Sequence, residues 1–279
     1  MTWLTGLWTI TSIELRQRVR GVAWYVLLGI FVLIVLVVTV YTTLSVDTFG
    51  DGGGAILYSL IVYFVLLLGT LVTPALSGNA INGDRDNGTL ATTQVTLITT
   101  SQLVFGKLLA AWITALAFLA AGLPFLVFAL ALGGASADTA IVSILVLALE
   151  LAVVAAVGVG LSGLIRRPLF SVVATYLVVA FLSIGTLIAL GLGGTVHQTE
   201  MSYTYETIDW DKSGDEIDEE TGYPVDKVCT IETSTYSVPR FDSVWWMLSA
   251  NPYVLLADAV PSHYDTYGTP DDMFGSIKD

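Results

Sequence analysis

Five apolar runs, at about residues 22–46, 55–78, 106–133, 140–164 and 169–193, fill most of the chain up to residue 193. Each exceeds the roughly 18 residues that a helix needs to cross the hydrocarbon core of a bilayer. In that core only helices and closed barrels satisfy every backbone N–H and C=O, and long unbroken apolar runs read as helices. The expected fold is therefore an all-α polytopic membrane protein. Composition agrees, with 13% charged residues and a mean hydropathy of +0.76, where a soluble domain is about a quarter charged.

The connections orient the spans. Arg16, Arg18 and Arg20 precede the first span, Arg85 and Lys107 lie between the second and third, and Arg166 and Arg167 lie between the fourth and fifth. The other short loops carry Asp47, Asp51 and Asp138 with no lysine or arginine. Basic loops stay in the cytoplasm, so the N-terminus is expected inside the cell and residues 194–279 outside a plasma membrane crossed several times. The first span follows three arginines with no small-residue cleavage site behind it, so no cleavable leader is expected.

The net charge of -13 is uneven: residues 195–279 hold 17 of the 24 carboxylates. A chain without a basic face has no nucleic-acid partner to expect. Cys229 is the sole cysteine, which excludes an intrachain disulfide and predicts a small buried apolar residue.

Residues 1–21 read as a helix lying in the membrane interface, bounding a transmembrane domain over 22–193. Thr2, Thr5, Thr9, Ser12 and Arg16 share one helical face, while Leu4, Leu7, Trp8, Thr11 and Leu15 occupy the other with Trp3 at its edge. Aromatic residues on one side, followed by Arg16, Arg18 and Arg20, suit interfacial anchoring in the lipid bilayer. Glu14 and Arg18 interrupt the apolar face.

The expected external segment, 194–279, contains two stretches rich in Thr, Tyr and β-branched residues, which predict a β-hairpin over about 200–237. The acidic stretch 209–224 is its loop. Asp209, Asp211, Ser213, Gly214 and Glu220 fall at the first, third, fifth, sixth and twelfth positions of a calcium loop, but Glu216 stands where that loop is apolar. A solvated acidic loop is the plainer reading, and calcium is the alternative. Residues 243–260 are apolar but broken by Asn251-Pro252 and Asp258, so they read as a helix dipping partway in from outside, anchored by Trp245 and Trp246.

The polar segment 79–105 is the largest interruption on the expected cytoplasmic side. Within it, Asp84-Arg85-Asp86 is followed by Gly88-Thr89-Leu90 and then by Gly106-Lys107 at the head of the third span. Asp84 and Asp86 suit the positive end of a short helix, and the stretch from Thr89 to Thr100 can form a second one. This pattern resembles the cytoplasmic loop of the type-2 ABC transporter permeases, as do the interfacial helix, the basic residues before the first span and Asn251-Pro252-Tyr253. The resemblance covers residues 1 to about 260 and is specific only in the loop. It implies a half-transporter paired with a second copy or a sister permease. It also implies that Asp84, Arg85, Asp86, Gly88, Thr89 and Leu90 dock on cytosolic ABC ATPase subunits, which carry ATP and Mg, and that export is the direction. Ala91 stands where the family often has Glu, and the resemblance implies a sixth span beyond Asp279.

Glu150 is the one carboxylate deep in a span, where an ionised group costs a few kcal/mol or more. Ala152, Ala156 and Gly160 form a small-residue stripe suited to close helix packing, roughly 160° around the helix from Glu150. A structural hydrogen bond is the plain reading of Glu150, and a proton site in a gradient-driven carrier is the functional one. A third reading is a non-transporting scaffold whose external module binds a partner. Pro124 marks a kink in the third span. His197 and His263 are far apart, and no nucleotide motif accompanies Gly106-Lys107, so the chain itself is expected not to be an enzyme.

Overall fold

The computed structural model describes residues 2–45, 53–88, 99–133, 135–214, 217, 222–226, 228–261 and 277. The helices are α1 (Trp3–Arg20), α2 (Val22–Leu44), α3 (Gly53–Ser77), α4 (Asn82–Asp86), α5 (Thr100–Ala131), α6 (Ala137–Leu164), α7 (Pro168–Ala180), α8 (Thr186–Val196) and α9 (Pro252–Ala259). A π turn, Phe181–Gly185, joins α7 to α8; strands β1 (Gln198–Ile208) and β2 (Cys229–Pro239) form a hairpin; a 3-10 turn spans Trp245–Ala250. α2, α3, α5, α6 and the run from α7 through α8 are long and apolar enough to cross a membrane.

The chain divides into two compact units, one comprising residues up to Thr186 together with those from Leu248 onward, the other Leu187–Met247. The expected external segment 194–279 is thus shared between them. The third span begins at Thr100, earlier than the expected 106, because Thr99 and Gln102 form a capping box. Each side chain accepts from the other's backbone, which satisfies amide groups that a helix start leaves open. That helix runs on through Pro124 to Ala131.

In the first unit α3 is central. Phe31 and Val35 of α2, Tyr58, Ile61, Val65 and Leu66 of α3, Phe118 of α5 and Leu147 and Leu151 of α6 form one buried cluster. Phe118 takes Trp24 and Phe31 edge-on, with ring centroids at 5.0 and 5.4 Å. Lipid is as apolar as leucine, so close fit and polar contacts hold such helices together more than burial does. The close approaches confirm this. A Cβ on Gly122 would stand 3.0 Å from Val65, and one on Gly158 would run into Ser77 of α3. The Tyr58 and Ser143 hydroxyls bond at 2.7 Å.

The stripe expected to serve close packing faces the wrong way for it within this chain: Ala156 and Gly160 are exposed and Ala152 only half-buried. The face that packs is Ser143, Leu147, Glu150, Leu151, Val154, Ala155, Gly158 and Ser162. Glu150 does lie away from the stripe, as its helical angle requires.

The expected apolar stretch 243–260 forms a 3-10 turn and the helix α9, and α9 belongs to the first unit. Asn251 caps α9 by accepting from the Tyr253 and Val254 amides at 2.9 and 3.3 Å. Its amide donates to the Ser183 carbonyl at 2.7 Å and the Thr186 hydroxyl at 2.9 Å. A π turn leaves helical carbonyls without their usual donor, and Asn251, itself fully buried, supplies one. Tyr253 reaches Thr70 of α3 at 3.2 Å, whereas Pro261 accepts from Thr139 at the start of α6 at 3.2 Å. α9 therefore climbs about 12 Å at 1.5 Å per residue, from midway along α3 back to the end of the bundle where α6 starts.

In the second unit β1 and β2 pair antiparallel from Gln198↔Pro239 to Ile208↔Cys229. Directly opposed residues share a face, so one face carries Met201, Tyr203, Tyr205 and Tyr236 and the other mainly Ser, Thr and Glu. The Tyr203 ring lies 5.5 Å from Tyr205 and 5.7 Å from Tyr236. Cys229, expected buried, is exposed, because a two-stranded sheet leaves its end positions uncovered. Trp245 and Trp246 are 63% and 61% exposed.

Replacing Asn251 with Ala removes the α9 cap and strands the Ser183 carbonyl. Losses of about 1 kcal/mol for a cap and about 1–3 for a buried unsatisfied group predict a clear drop in melting temperature in detergent. An unchanged melting temperature would show that α9 does not brace the bundle.

Candidate functional site

The structure brings the acidic-Arg-acidic segment, the interfacial helix and the Gly-Lys pair into one cluster, centred on Lys107. This side chain is 2% exposed, yet it lies at the head of a long apolar helix. Its ammonium pairs with Asp84 at 2.8 Å and with Glu14. A buried ammonium without partners is strongly destabilising, and two carboxylates offset its desolvation.

α1 reaches this position because its inner face is cut to fit α5. The Trp3 carbonyl accepts from the Gln102 amide at 3.1 Å. A Cβ on Gly6 would stand 2.7 Å from that same amide, and one on Gly106 would stand 2.9 Å from Ile10. The Thr11 hydroxyl donates to the Gly106 carbonyl at 3.1 Å. Glu14 then falls one turn further on, over Lys107. Glu14 and Arg18, which look like blemishes on a lipid-facing surface, belong to the face that docks on the protein. Trp3, Trp8, Arg16 and Arg20 are exposed. Arg18 turns inward and donates to the Leu76 carbonyl at 3.0 Å. Burial lowers its pKa below the ordinary arginine value, with Glu14 opposing the shift.

The other side of the segment is fixed to the end of α6. The Ser162 hydroxyl accepts from the Ile81 and Asn82 amides at 3.0 and 3.2 Å, and the Asn82 side chain donates to the Ile165 carbonyl at 2.7 Å. Arg85 donates to the Asn82 side-chain oxygen at 2.6 Å. α4 is a single turn that closes at Asn87, after which Gly88 takes φ +71, a left-handed conformation that glycine adopts without strain. Asp86, Asn87 and Gly88 are exposed. Thr89 and Leu90, and the surface helix expected up to residue 98, lie outside the described residues.

Asp84 is thus an internal ion-pair partner and Arg85 braces Asn82, while Asp86 and Gly88 form the outward tip. Sequence reasoning missed Glu14, Asn82, Gln102 and Ser162 as members of the site. The available signal was charge balance: Lys107 in an apolar run and Glu14 on an apolar helix face each needed a partner.

Glu150 is 7% exposed and sits between Leu147 and Val154 on the packed face of α6. Among the described residues no hydrogen bond or ion pair reaches it. In the acidic loop, Asp209 is turned to Lys212 at 2.7 Å, and that hydrogen bond lowers its pKa. Ser213 donates to the Asp209 carbonyl and accepts from the Val228 amide. Asp211 is described, Glu220 is not, and no group of three or more possible metal ligands converges among the described residues.

No model of a known protein family matches the chain, and no curated protein matches it in sequence.

Lys107→Met leaves Glu14 and Asp84 facing each other without a cation. Breaking such a pair from one side costs about 3 kcal/mol, somewhat less here because Asp84 keeps partial contact with solvent. The melting temperature should fall markedly, and the further change Glu14→Gln should recover part of it. No recovery would mean that the three groups do not act as one network.

Proposed function

We propose that this chain is the membrane-spanning permease subunit of an ATP-driven transporter of the type-2 ABC kind, with export as its direction. In this reading it pairs with a second copy or a sister permease, and two cytosolic ABC ATPase subunits bind and hydrolyse MgATP. The tip at Asp86–Gly88, with Thr89 and Leu90, docks on the ATPase. Closure of the ATPase pair pushes the segment, and the push opens a path outward.

What supports this is the way the segment from Ile81 to Asp86 is held. Its tip is exposed, while its base is tied to α1 and α5 through Lys107 and to α6 through Ser162 and Asn82. A force applied at the tip therefore reaches three helices without first bending a loop. A solvated turn needs no such ties.

The burial of Glu150 without a partner among the described residues favours one other reading, a carrier driven by an ion gradient in which that carboxylate takes up and releases a proton. That carrier works without any ATPase and stops when Glu150 becomes Gln.

The test is mild-detergent purification from the native host of wild type beside Asp86→Lys, a variant that leaves the Lys107 cluster untouched. An ATPase with a P-loop should accompany wild type and fall at least about tenfold in the variant, as a reversed charge at a docking contact costs over 1 kcal/mol. No ATPase in either sample overturns the permease reading. Transport abolished by Glu150→Gln in the same preparations would then establish the carrier.

A further inference from the structure

Where α6 gives way to α7, a groove of about 420 Å³ is lined by Ile165, Arg166, Arg167, Phe170, Val173, Ala174 and Leu177. Its chemistry changes along its length. At one end stand two adjacent arginines, both exposed. Among the described residues no carboxylate lies within salt-bridge distance of either, although the chain carries a net charge of -13. Elsewhere in the first unit Lys107 pairs with Glu14 and Asp84, Arg18 with the Leu76 carbonyl and Arg85 with Asn82. Arg16 and Arg20 of α1 are exposed as well, but neither lines this groove. The described contact of Arg167 is with an aromatic face, its guanidinium lying 5.7 Å from the centre of the Phe170 ring. From there Phe170, Val173–Ala174 and Leu177 continue the groove along one face of α7 at helical spacing. They give an apolar track of about 10 Å.

We propose that this groove is a binding site for an anionic phospholipid. The headgroup phosphate pairs with Arg166 and Arg167, whose planar donors match phosphate oxygens, and one acyl chain follows the track from Phe170 to Leu177. A free phosphate answers only the arginines. A zwitterionic lipid such as phosphatidylcholine brings a phosphate but also a cationic choline beside the two arginines; an anionic lipid answers arginines and track without that repulsion. Phe170 orients the arginine at the boundary by holding Arg167 over its ring. The site also adjoins the segment described above, since Asn82 donates to the carbonyl of Ile165, a lining residue. Lipid binding here requires only that the chain sit in a membrane, not that it work as a permease.

The test is native mass spectrometry and thermal unfolding of the full chain in detergent, with dioleoyl phosphatidylglycerol, dioleoyl phosphatidylcholine and inorganic phosphate as probes. Phosphatidylglycerol should be retained and should raise the melting temperature; phosphatidylcholine and millimolar phosphate should do neither. A lysine or arginine near an anionic lipid contributes about 1 kcal/mol, so Arg166→Gln/Arg167→Gln should weaken binding about 30-fold. Lys212→Gln/Arg240→Gln removes the same charge from the second unit and should leave it unchanged. Should the arginine variant fail to fold, Val173→Trp keeps both cations and blocks the track, and it should also abolish retention. Equal retention of both lipids, or retention undiminished in Val173→Trp, overturns the proposal. So does displacement of the lipid by phosphate alone. A double variant that binds lipid normally but loses self-association shows a protein interface and overturns it as well.

Discussion

Where no water is present, each backbone carbonyl that loses its helical partner must find another donor. That requirement organises the first unit. Its helices are interrupted in a few places, and at several of them a polar side chain from a different element supplies a donor. Pro74 removes the amide that would bond the Thr70 carbonyl of α3, and one residue on, in this loosened turn, the Tyr176 hydroxyl of α7 donates to the Leu71 carbonyl at 2.7 Å. Where α3 ends, Arg18 of α1 takes the Leu76 carbonyl; where α6 ends, Asn82 takes that of Ile165; at the π turn, Asn251 takes that of Ser183. Each donor joins elements distant in the chain, so the breaks become the tie points. Apolar contact shapes the bundle, but in lipid it does little to select one arrangement over another. These donors provide that selection.

Much of the architecture was legible because its physics is local. The spans follow from length and hydropathy, the hairpin from alternating Thr and Tyr, and the short helix α9 from an apolar run that restarts at Asn251-Pro252, an N-cap followed by proline. Errors arose where an assignment depends on a neighbour. Ala152, Ala156 and Gly160 have the right spacing for close packing, but spacing does not say which side of a helix meets another helix. Gly158 and Ser162, on the side that does, are also small and four apart, but that run is one residue shorter than the stripe. Cys229 follows the average habit of cysteine only when something covers it, and β2 has nothing beyond its partner strand to do so.

The site was legible in its parts and not in its arrangement. Asp84, Arg85 and Asp86 look alike as three solvated charges in one loop. In the structure Asp84 neutralises Lys107, Arg85 braces Asn82, and Asp86 faces outward. The difference follows from a five-residue helix, on which successive side chains point about 100° apart. Glu14 and Lys107 are 93 residues apart, and nothing short of the fold connects them. Their pairing also explains why α1 carries a carboxylate on a face otherwise occupied by Ile10 and Thr11. That face meets protein, and the side that bears Leu4 and Trp8 is exposed.

Under the proposed permease reading, this assignment of faces bears on how the segment would transmit force. A loop tied at one point swings about it, and the energy put into its tip is lost in the swing. The segment from Ile81 to Asp86 is tied on two sides, by an ion pair to α5 and α1 and by backbone hydrogen bonds to α6. Rotation about one tie stretches the other. The ion pair is shared between two carboxylates, so a small displacement shifts Lys107 from one toward the other without breaking both. The hydrogen bonds to Ser162 are directional and lose strength within a few tenths of an ångström. The α6 side is therefore the stiff one and the Lys107 side the compliant one. A push on Asp86 should turn the segment about Ser162 and be felt first at Glu14, on the helix that lies across the end of the bundle.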